Sequence, residues 1–497
     1  MNAPFAPLPL SSLLPDLGGL PGIQVQDLSQ RSGAVGPGTA FVALRGGRAH
    51  GLEYAAEALG RGATAVLWDE DGPAPGDDPR YVHVSGLRAR LPELARRVFG
   101  AWPEERPLIA ITGTDGKTSV SHQVSAALTG LGMRCAVIGT LGVGVPGSLA
   151  PTGHTTPDVL ELHRHLAGLA AAGFAAVALE ASSHALAQGR LDGLRPTVAV
   201  LTQLGRDHLD FHGSVAAYAD AKARLFEMPG LRAMVLNLDD AFGRRLHAAH
   251  CAEKSPVTCW SYGFEARAGS RERHLVGRKL RASEAGLAFE LEVAGSCGEV
   301  RVPLFGAFHA ANLLATAGTL LALGESPERV IEALHHVRGV PGRMERFALP
   351  SGPVLVVDYA HTALALESVL RALRPHASGR LWVVFGCGGE RDPGKRPEMG
   401  AIAARLADEV IVTDDNPRHE NPAAIRREIL EGCAGPAVPR EIGDRAEAIR
   451  AAVSAARRGD IVLIAGKGHE TTQNVGGIQY PFSDRGLAAR YVEERTP

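Results

Sequence analysis

The chain has 497 residues, too many for one hydrophobic core of ordinary size, and at roughly 150 residues per domain it predicts two or three cores. Lysine and arginine number 52 against 54 aspartates and glutamates, so the net charge of -2 argues against both a broadly basic nucleic-acid-binding surface and an acidic tail. With 45% hydrophobic, 21% charged and 5% aromatic residues, disorder, a collagen repeat and an aromatic platform for bases are excluded as well.

The first hundred residues alternate short apolar runs, TAFVALRG and TAVLWDE, with the helix-like YAAEALGRG, and then pass through RLPELARRVFGAW to Pro103. They predict a small α/β domain over residues 1–102. No Lys or Arg precedes Arg31 and prolines interrupt the apolar N-terminal stretch, so a signal peptide is not expected. From 103 to 339, the runs LIAIT, AGFAAVALE, TVAVLTQL and AMVLN are separated by helix-length segments, the pattern of parallel βαβ units. From about Glu272 to Pro303, LAFELEVA and EVRVPL alternate as antiparallel strands do, with helices expected at 309–323 and 326–336. The uncharged run Val302–Gly324 is long enough to raise a membrane span, but Pro303, Gly306, His309 and Asn312 interrupt it, and a buried helix is expected.

Residues 340–497 repeat strand then loop: PVLVVDYAH, RLWVVFGCGG, EVIVTDDNPR and DIVLIAGKGHE each end in polar, charged or glycine-bearing residues. The expected fold class is therefore α/β with three domains, a central P-loop nucleotide-binding parallel sheet and a C-terminal Rossmann-like domain. The cysteines at 135, 251, 259, 297, 387 and 433 form no CxxC pair, which argues against a disulfide framework or structural zinc and for a cytoplasmic protein.

Chemistry concentrates at strand ends. LIAIT runs into Gly113-Thr114-Asp115-Gly116-Lys117-Thr118-Ser119 and then an apolar-periodic helix, so backbone N–H groups and a helix N-terminus are available to phosphate. Ile111 stands where the eight-residue phosphate loop has its first glycine, and the strand-loop-helix context carries the assignment. In this reading Lys117 meets the β/γ-phosphates, Thr118 helps hold Mg²⁺, and ATP is the nucleotide. Glu180 ends an apolar strand, where a carboxylate favours coordination to a cation over bare burial. His208, between Asp207 and Asp210, is a second candidate ligand.

TGTDGKTS, HTTPD, LEASSH, RDHLDFHG, HAANLL, GRMERF, VDYAHT, FGCGGERDPGKRP, TDDNPRHENP and AGKGHE together resemble the Mur ligase family of ATP-dependent amide-forming enzymes across about 110–485. The resemblance implies Gly113 to Ser119 on the ATP phosphates, Thr118 and Glu180 on one Mg²⁺, and His208 on another. It turns Lys222 of YADAKARLF from a solvated helix residue into a carbamylated lysine (N6-carboxylysine), a metal-binding anion. Lys117, Lys222 and His208 are thereby the catalytic candidates. Asn312, Arg343 and Asp358 fall at nucleotide-contacting positions, Asn312 being also a possible helix N-cap.

For the acceptor, Thr155, Thr156, Ser182, Gln188 and Arg190 match positions contacting a UDP-N-acetylmuramoyl dipeptide. The family's uridine-binding Asp-Ser-Arg is present only as Ser29-Gln30-Arg31, of which Ser29 and Arg31 are the candidates; Asp115 and Ser119 are milder departures from Asn and Thr. The DNPR and GGERDPGKRP loops look like the branch that adds meso-2,6-diaminopimelate to UDP-N-acetylmuramoyl-L-alanyl-D-glutamate through an acyl phosphate. That implies Arg391, Asp415, Asn416, Pro417, Arg418, Gly466 and Glu470 around the amino acid. Arg418 can grip the distal carboxylate with two parallel N–H bonds while Glu470 faces the ammonium, and lysine or ornithine would leave Arg418 without that carboxylate. The competing expectations are the same ligase acting on L-lysine or L-ornithine, a folylpolyglutamate-type ligase, and a non-catalytic nucleotide-binding protein. The expected partners are small molecules, with no nucleic acid, no membrane insertion and a monomeric chain.

Overall fold

A computed structural model of the chain describes residues 5–47, 49–69, 76–253, 255–264, 273–350 and 352–495. It is a mixed α/β structure that divides into two compact units, residues 1–261 with 322–324, and residues 262–321 with 325–497. The expected divisions after residues 102 and 339 fall inside the first and second units respectively.

The first unit opens with a four-stranded parallel sheet, in the order Asp27–Ser29, Thr39–Ala43, Ala65–Trp68 and Tyr81–His83, followed by the helix Leu87–Phe99. Its larger sheet has Leu108–Thr112 between Ala176–Glu180 on one side and Val198–Leu201 on the other, all parallel, with Cys135–Gly139 and Ala233–Asn237 outside them. Every residue of these five strands is buried, which is why they read as unbroken apolar runs instead of alternating ones. The consequence for function is geometric. The central strand delivers its loop to the carboxyl edge of the sheet, flanked by Glu180 at the end of one neighbouring strand and by Thr202 just past the end of the other.

In the second unit His274–Ser283, Gly286–Val293 and Ser296–Val302 form an antiparallel meander; Glu272, the expected start of that alternation, lies outside the described residues. The uncharged run near 302–324 contains the helix Phe308–Ala322, buried over most of its length. Among the described residues no helix is long and apolar enough to cross a membrane. Asn312 lies inside this helix, not at its N-cap, because the helix begins four residues earlier. The closing sheet has the order Glu345–Ala348, Val354–Asp358, Ile461–Ala465, Leu381–Phe385, Glu409–Val412 and Pro439–Glu441, with only the first strand antiparallel. Apolar side chains from both of its faces pack against covering helices, as a doubly covered parallel sheet requires.

Candidate functional site

The glycine-bearing loop that follows Leu108–Thr112, expected to meet phosphate, is held by its neighbours. Thr114 N donates to Gln203 O at 2.8 Å, and Thr202 Oγ1 donates to Asp115 O at 2.6 Å. Gly113 has φ +150°, and a Cβ there would lie 1.8 Å from Thr202 Oγ1, so only glycine permits this approach. The helix Lys117–Gly130 starts directly from the loop. Lys117 Nζ curls back to donate to Gly113 O at 3.0 Å and Thr114 O at 2.8 Å.

Glu180 sits beside this loop, 1% exposed. Its Oε2 accepts from Thr118 Oγ1 at 2.8 Å and Thr140 Oγ1 at 3.1 Å, and its Oε1 from Thr140 N at 2.9 Å. Burial pushes this carboxyl above its ordinary range, opposed by the charge of Lys117 and these hydrogen bonds. The Thr118 hydroxyl and the Glu180 carboxylate thus form a pair of hard oxygen donors at the start of the helix Lys117–Gly130.

Lys222, on the helix Val215–Ala223, is 1% exposed, an unusual place for an ammonium. Its Nζ donates to Gly113 O at 2.7 Å and lies 4.6 Å from the centre of the Tyr218 ring. Burial first, and the charge of Lys117 second, bring its pKa down to about 6. Tyr218 links this lysine to the loop, its hydroxyl 3.0 Å from Thr114 Oγ1. His208 and His212 also stand near Tyr218, with ring centres 6.3 Å and 5.2 Å away. His208 is half-exposed, adopts a left-handed backbone at φ 52°, and places Nε2 3.3 Å from Asp207 Oδ2. Among the described residues no group of three or more His, Cys, Asp or Glu side chains is arranged to hold a metal ion.

The residues expected to contact the dipeptide converge on one edge of the same unit. Thr156 Oγ1 donates to Glu180 O at 2.6 Å, Thr155 Oγ1 is 3.1 Å from Thr140 Oγ1, and Ser182 caps its helix by accepting from Ala185 N. Arg190 donates to Thr156 O at 2.8 Å and to Gln188 Oε1 at 2.7 Å. Gln188 and Arg190 enter the wall of a cavity of about 950 Å³, which is also lined by Gln30, Arg45, Asp69 and Arg88. Ser29 and Arg31 are not in that wall: Ser29 Oγ donates to Arg31 O at 3.0 Å, and the exposed Arg31 pairs with Glu161 at 3.2 Å.

In the second unit, Asp358 ends its strand 6% exposed and accepts from Met344 N at 2.7 Å and Ala360 N at 2.8 Å. Burial raises its pKa against those hydrogen bonds and the nearby Arg343, whose guanidinium lies 4.9 Å from the centre of the Tyr359 ring. A separate cluster forms where three strand-end loops meet. Gly389 N donates to Asn416 O at 2.9 Å, and Arg418 Nη1 donates back to Gly389 O. Asn416 Nδ2 donates to Glu470 Oε2 at 2.9 Å. Asp415 is buried with Oδ2 lacking a hydrogen-bond partner, and a Cβ on Gly466 (φ +121°) would lie 2.4 Å from that oxygen. Pro417 is buried between Asn416 and Arg418, and Arg391 is exposed at the tip of the adjoining loop.

Residues 111–320 match the model of the Mur ligase middle domain, and residues 342–468 that of the Mur ligase glutamate ligase domain. The chain belongs to the Mur ligase family. Over 491 residues, 98% of each chain, it is 49% identical to the UDP-N-acetylmuramoyl-L-alanyl-D-glutamate--2,6-diaminopimelate ligase of Xanthomonas campestris pv. campestris strain 8004. The protein of the same name from Alkalilimnicola ehrlichii is 48% identical over 480 residues, 95% of each chain. A solved structure of a UDP-N-acetylmuramoyl-L-alanyl-D-glutamate--2,6-diaminopimelate ligase superposes with a TM-score of 0.73 at 34% identity, covering 98% of this chain and 99% of that one.

In this Mur ligase the expected positions thus gather as local groups: the loop with Glu180 and Lys222, the Thr156–Gln188–Arg190 edge, and the Asn416–Arg418–Glu470 cluster. Sequence reasoning did not reach Tyr218, the cavity residues Arg45, Asp69 and Arg88, or Lys467. For Lys467 a signal existed, since a lysine directly after a glycine in the loop that follows an apolar strand is what singled out Lys117.

Proposed function

We propose that this Mur ligase adds meso-2,6-diaminopimelate to UDP-N-acetylmuramoyl-L-alanyl-D-glutamate, converting ATP to ADP and phosphate, in peptidoglycan precursor synthesis. The observation that carries this reading is the 49% identity, across 98% of both chains, to a ligase of that name. The D-glutamate γ-carboxylate attacks the γ-phosphorus of ATP, ADP departs, and the neutral amine then attacks the acyl phosphate with loss of inorganic phosphate.

The chain's own groups suit each requirement. Lys117 can exchange its two loop carbonyls for phosphate oxygens, while the loop N–H groups and helix N-terminus take the remaining negative charge. Thr118 and Glu180 fit Mg²⁺, offering hard oxygens and leaving the remaining ligand positions to water and phosphate. A bound Mg²⁺ would offset the repulsion between the attacking carboxylate and the triphosphate. Lys222 fits carbamylation, because an amine brought down to about 6 is largely neutral at pH 7, the form that takes up CO₂; His208 and the resulting carbamate would serve a second Mg²⁺. Gln188 and Arg190, at the wall of the cavity, hold the UDP-dipeptide, with Arg45 and Arg88 supplying positive charge for its diphosphate. Arg418 and Glu470 select the amino acid.

In this scheme residues 1–102 bind the UDP substrate, 103–339 the nucleotide and 340–497 the amino acid. The protein works as a monomer in the cytoplasm, the compartment that suits a cysteine set with no CxxC pair. The test is phosphate release by purified protein with ATP, Mg²⁺ and the UDP-dipeptide over a panel of amines. Diaminopimelate should give a kcat/KM roughly a hundredfold or more above lysine or ornithine, because either leaves a charged group unpaired. Equal turnover with lysine would remove the substrate assignment, and no turnover with any amine would remove the ligase reading.

A further inference from the structure

Lys467 is completely buried in a loop otherwise assigned to substrate, and the reaction outlined above gives it no task. Its Nζ donates to Glu470 Oε2 at 2.8 Å and to Asn416 Oδ1 at 3.1 Å. Asn416 Nδ2 donates to the same Glu470 oxygen at 2.9 Å, and Asn416 Oδ1 also accepts from Asn474 N at 2.9 Å. Two donors therefore converge on Oε2, whereas among the described residues Oε1 receives no hydrogen bond. The Glu470 side chain is 31% exposed, so part of it is open to a ligand. A carboxylate pinned at one oxygen has a fixed plane, and its second oxygen then points in one direction.

We propose that Lys467 is a positioning residue for amino-acid selection: by holding Glu470 Oε2 and Asn416 Oδ1 from within the protein, it presents Glu470 Oε1 as the acceptor for the ammonium of the incoming amino acid. This rests on the ligase reading and deepens it. Burial alone would raise the Glu470 pKa, but the hydrogen bonds from Lys467 and Asn416 outweigh it and keep the carboxylate ionised.

The experiment compares wild type, K467M, E470Q and the double variant in the phosphate-release assay, varying diaminopimelate, ATP and UDP-dipeptide in turn. K467M should raise the KM for diaminopimelate roughly 10- to 100-fold, the loss of one charge-assisted hydrogen bond, with KM for the other two substrates within about twofold. In the E470Q background the same substitution should add less than about threefold, because the residue it acts through is already changed. Acyl phosphate trapped with hydroxylamine, which needs no amino-acid pocket, should form at the wild-type rate in K467M and so report an intact fold. Where K467M does not fold, K467Q, which retains a donor in the buried position, carries the same comparison. An unchanged diaminopimelate KM, or full additivity with E470Q, would overturn the proposal. Failure of wild type to turn over diaminopimelate would instead strike the ligase reading beneath it.

Discussion

Replacing Arg445 with methionine should destabilise the second unit strongly, and the structure says by how much. Arg445, at the start of the helix Arg445–Ala455, and Asp484 are joined by two hydrogen bonds of 2.8 and 2.7 Å, with both side chains 0% exposed. Arg445 Nη2 also donates to Ala465 O at 2.9 Å, at the end of the strand that leads into Gly466 and Lys467. Arg445→Met fills much of the volume but strands the Asp484 carboxylate without a counter-charge, a loss of about 3–5 kcal/mol. For a unit of this size that corresponds to a fall in Tm of roughly 6–20 °C. Trp382 packs in the same apolar cluster as Ala448 and Ile449 of this helix, and the other three tryptophans lie in the first unit. Its fluorescence in a W68F/W102F/W260F background therefore follows the melting of the unit that contains Arg445. Arg445→Met with Asp484→Leu should recover most of the loss, since an apolar pair of similar volume carries no desolvated charge. A single variant melting within about 2 °C of wild type, or a double variant as unstable as the single, would show that the pair is not what holds this corner.

Three further outcomes follow from the geometry. Gly113→Ala places a methyl 1.8 Å from Thr202 Oγ1, so nucleotide affinity, measured calorimetrically with ADP, should drop by about two orders of magnitude. Unmodified Lys222 titrates near 6 in the folded chain against an ordinary 10.5, so the unfolded chain binds more protons between those values. Stability of CO₂-depleted protein should accordingly rise with pH through that window, by up to about 1.4 kcal/mol per unit, while Lys222→Met should flatten the rise and abolish a ¹³C carbamate signal present in wild type. Arg418→Ala should raise the diaminopimelate KM roughly 10- to 100-fold with kcat little changed, and comparable losses for lysine would contradict recognition of the distal carboxylate.

How far these features can be read without coordinates depends on what each residue needs. The phosphate loop and Glu180 are legible because an unbroken apolar run ending in Gly, Lys or Glu announces a buried parallel strand with chemistry at its tip. Lys222 is not, since nothing in a short helix marks one lysine as buried; there the family resemblance supplied what periodicity could not. Asn312 misled in the opposite sense, because HAAN has the look of a cap while Phe308 already begins the helix. Arg445 and Asp484 are 39 residues apart, and Arg45, Asp69 and Arg88 meet in one cavity wall only through folding of the chain. Such long-range encounters leave no local pattern.

His208, Glu390 and Arg418 all hold positive φ angles, 52°, 53° and 53°, although none is glycine, and all three belong to loops assigned to ligands. Each such residue carries a backbone penalty of order 1 kcal/mol that glycine or asparagine would relieve. A library screened for heat resistance alone would therefore drift toward Gly or Asn at these positions and return sturdier proteins with poorer turnover. Engineering of this enzyme for durability should freeze those codons first.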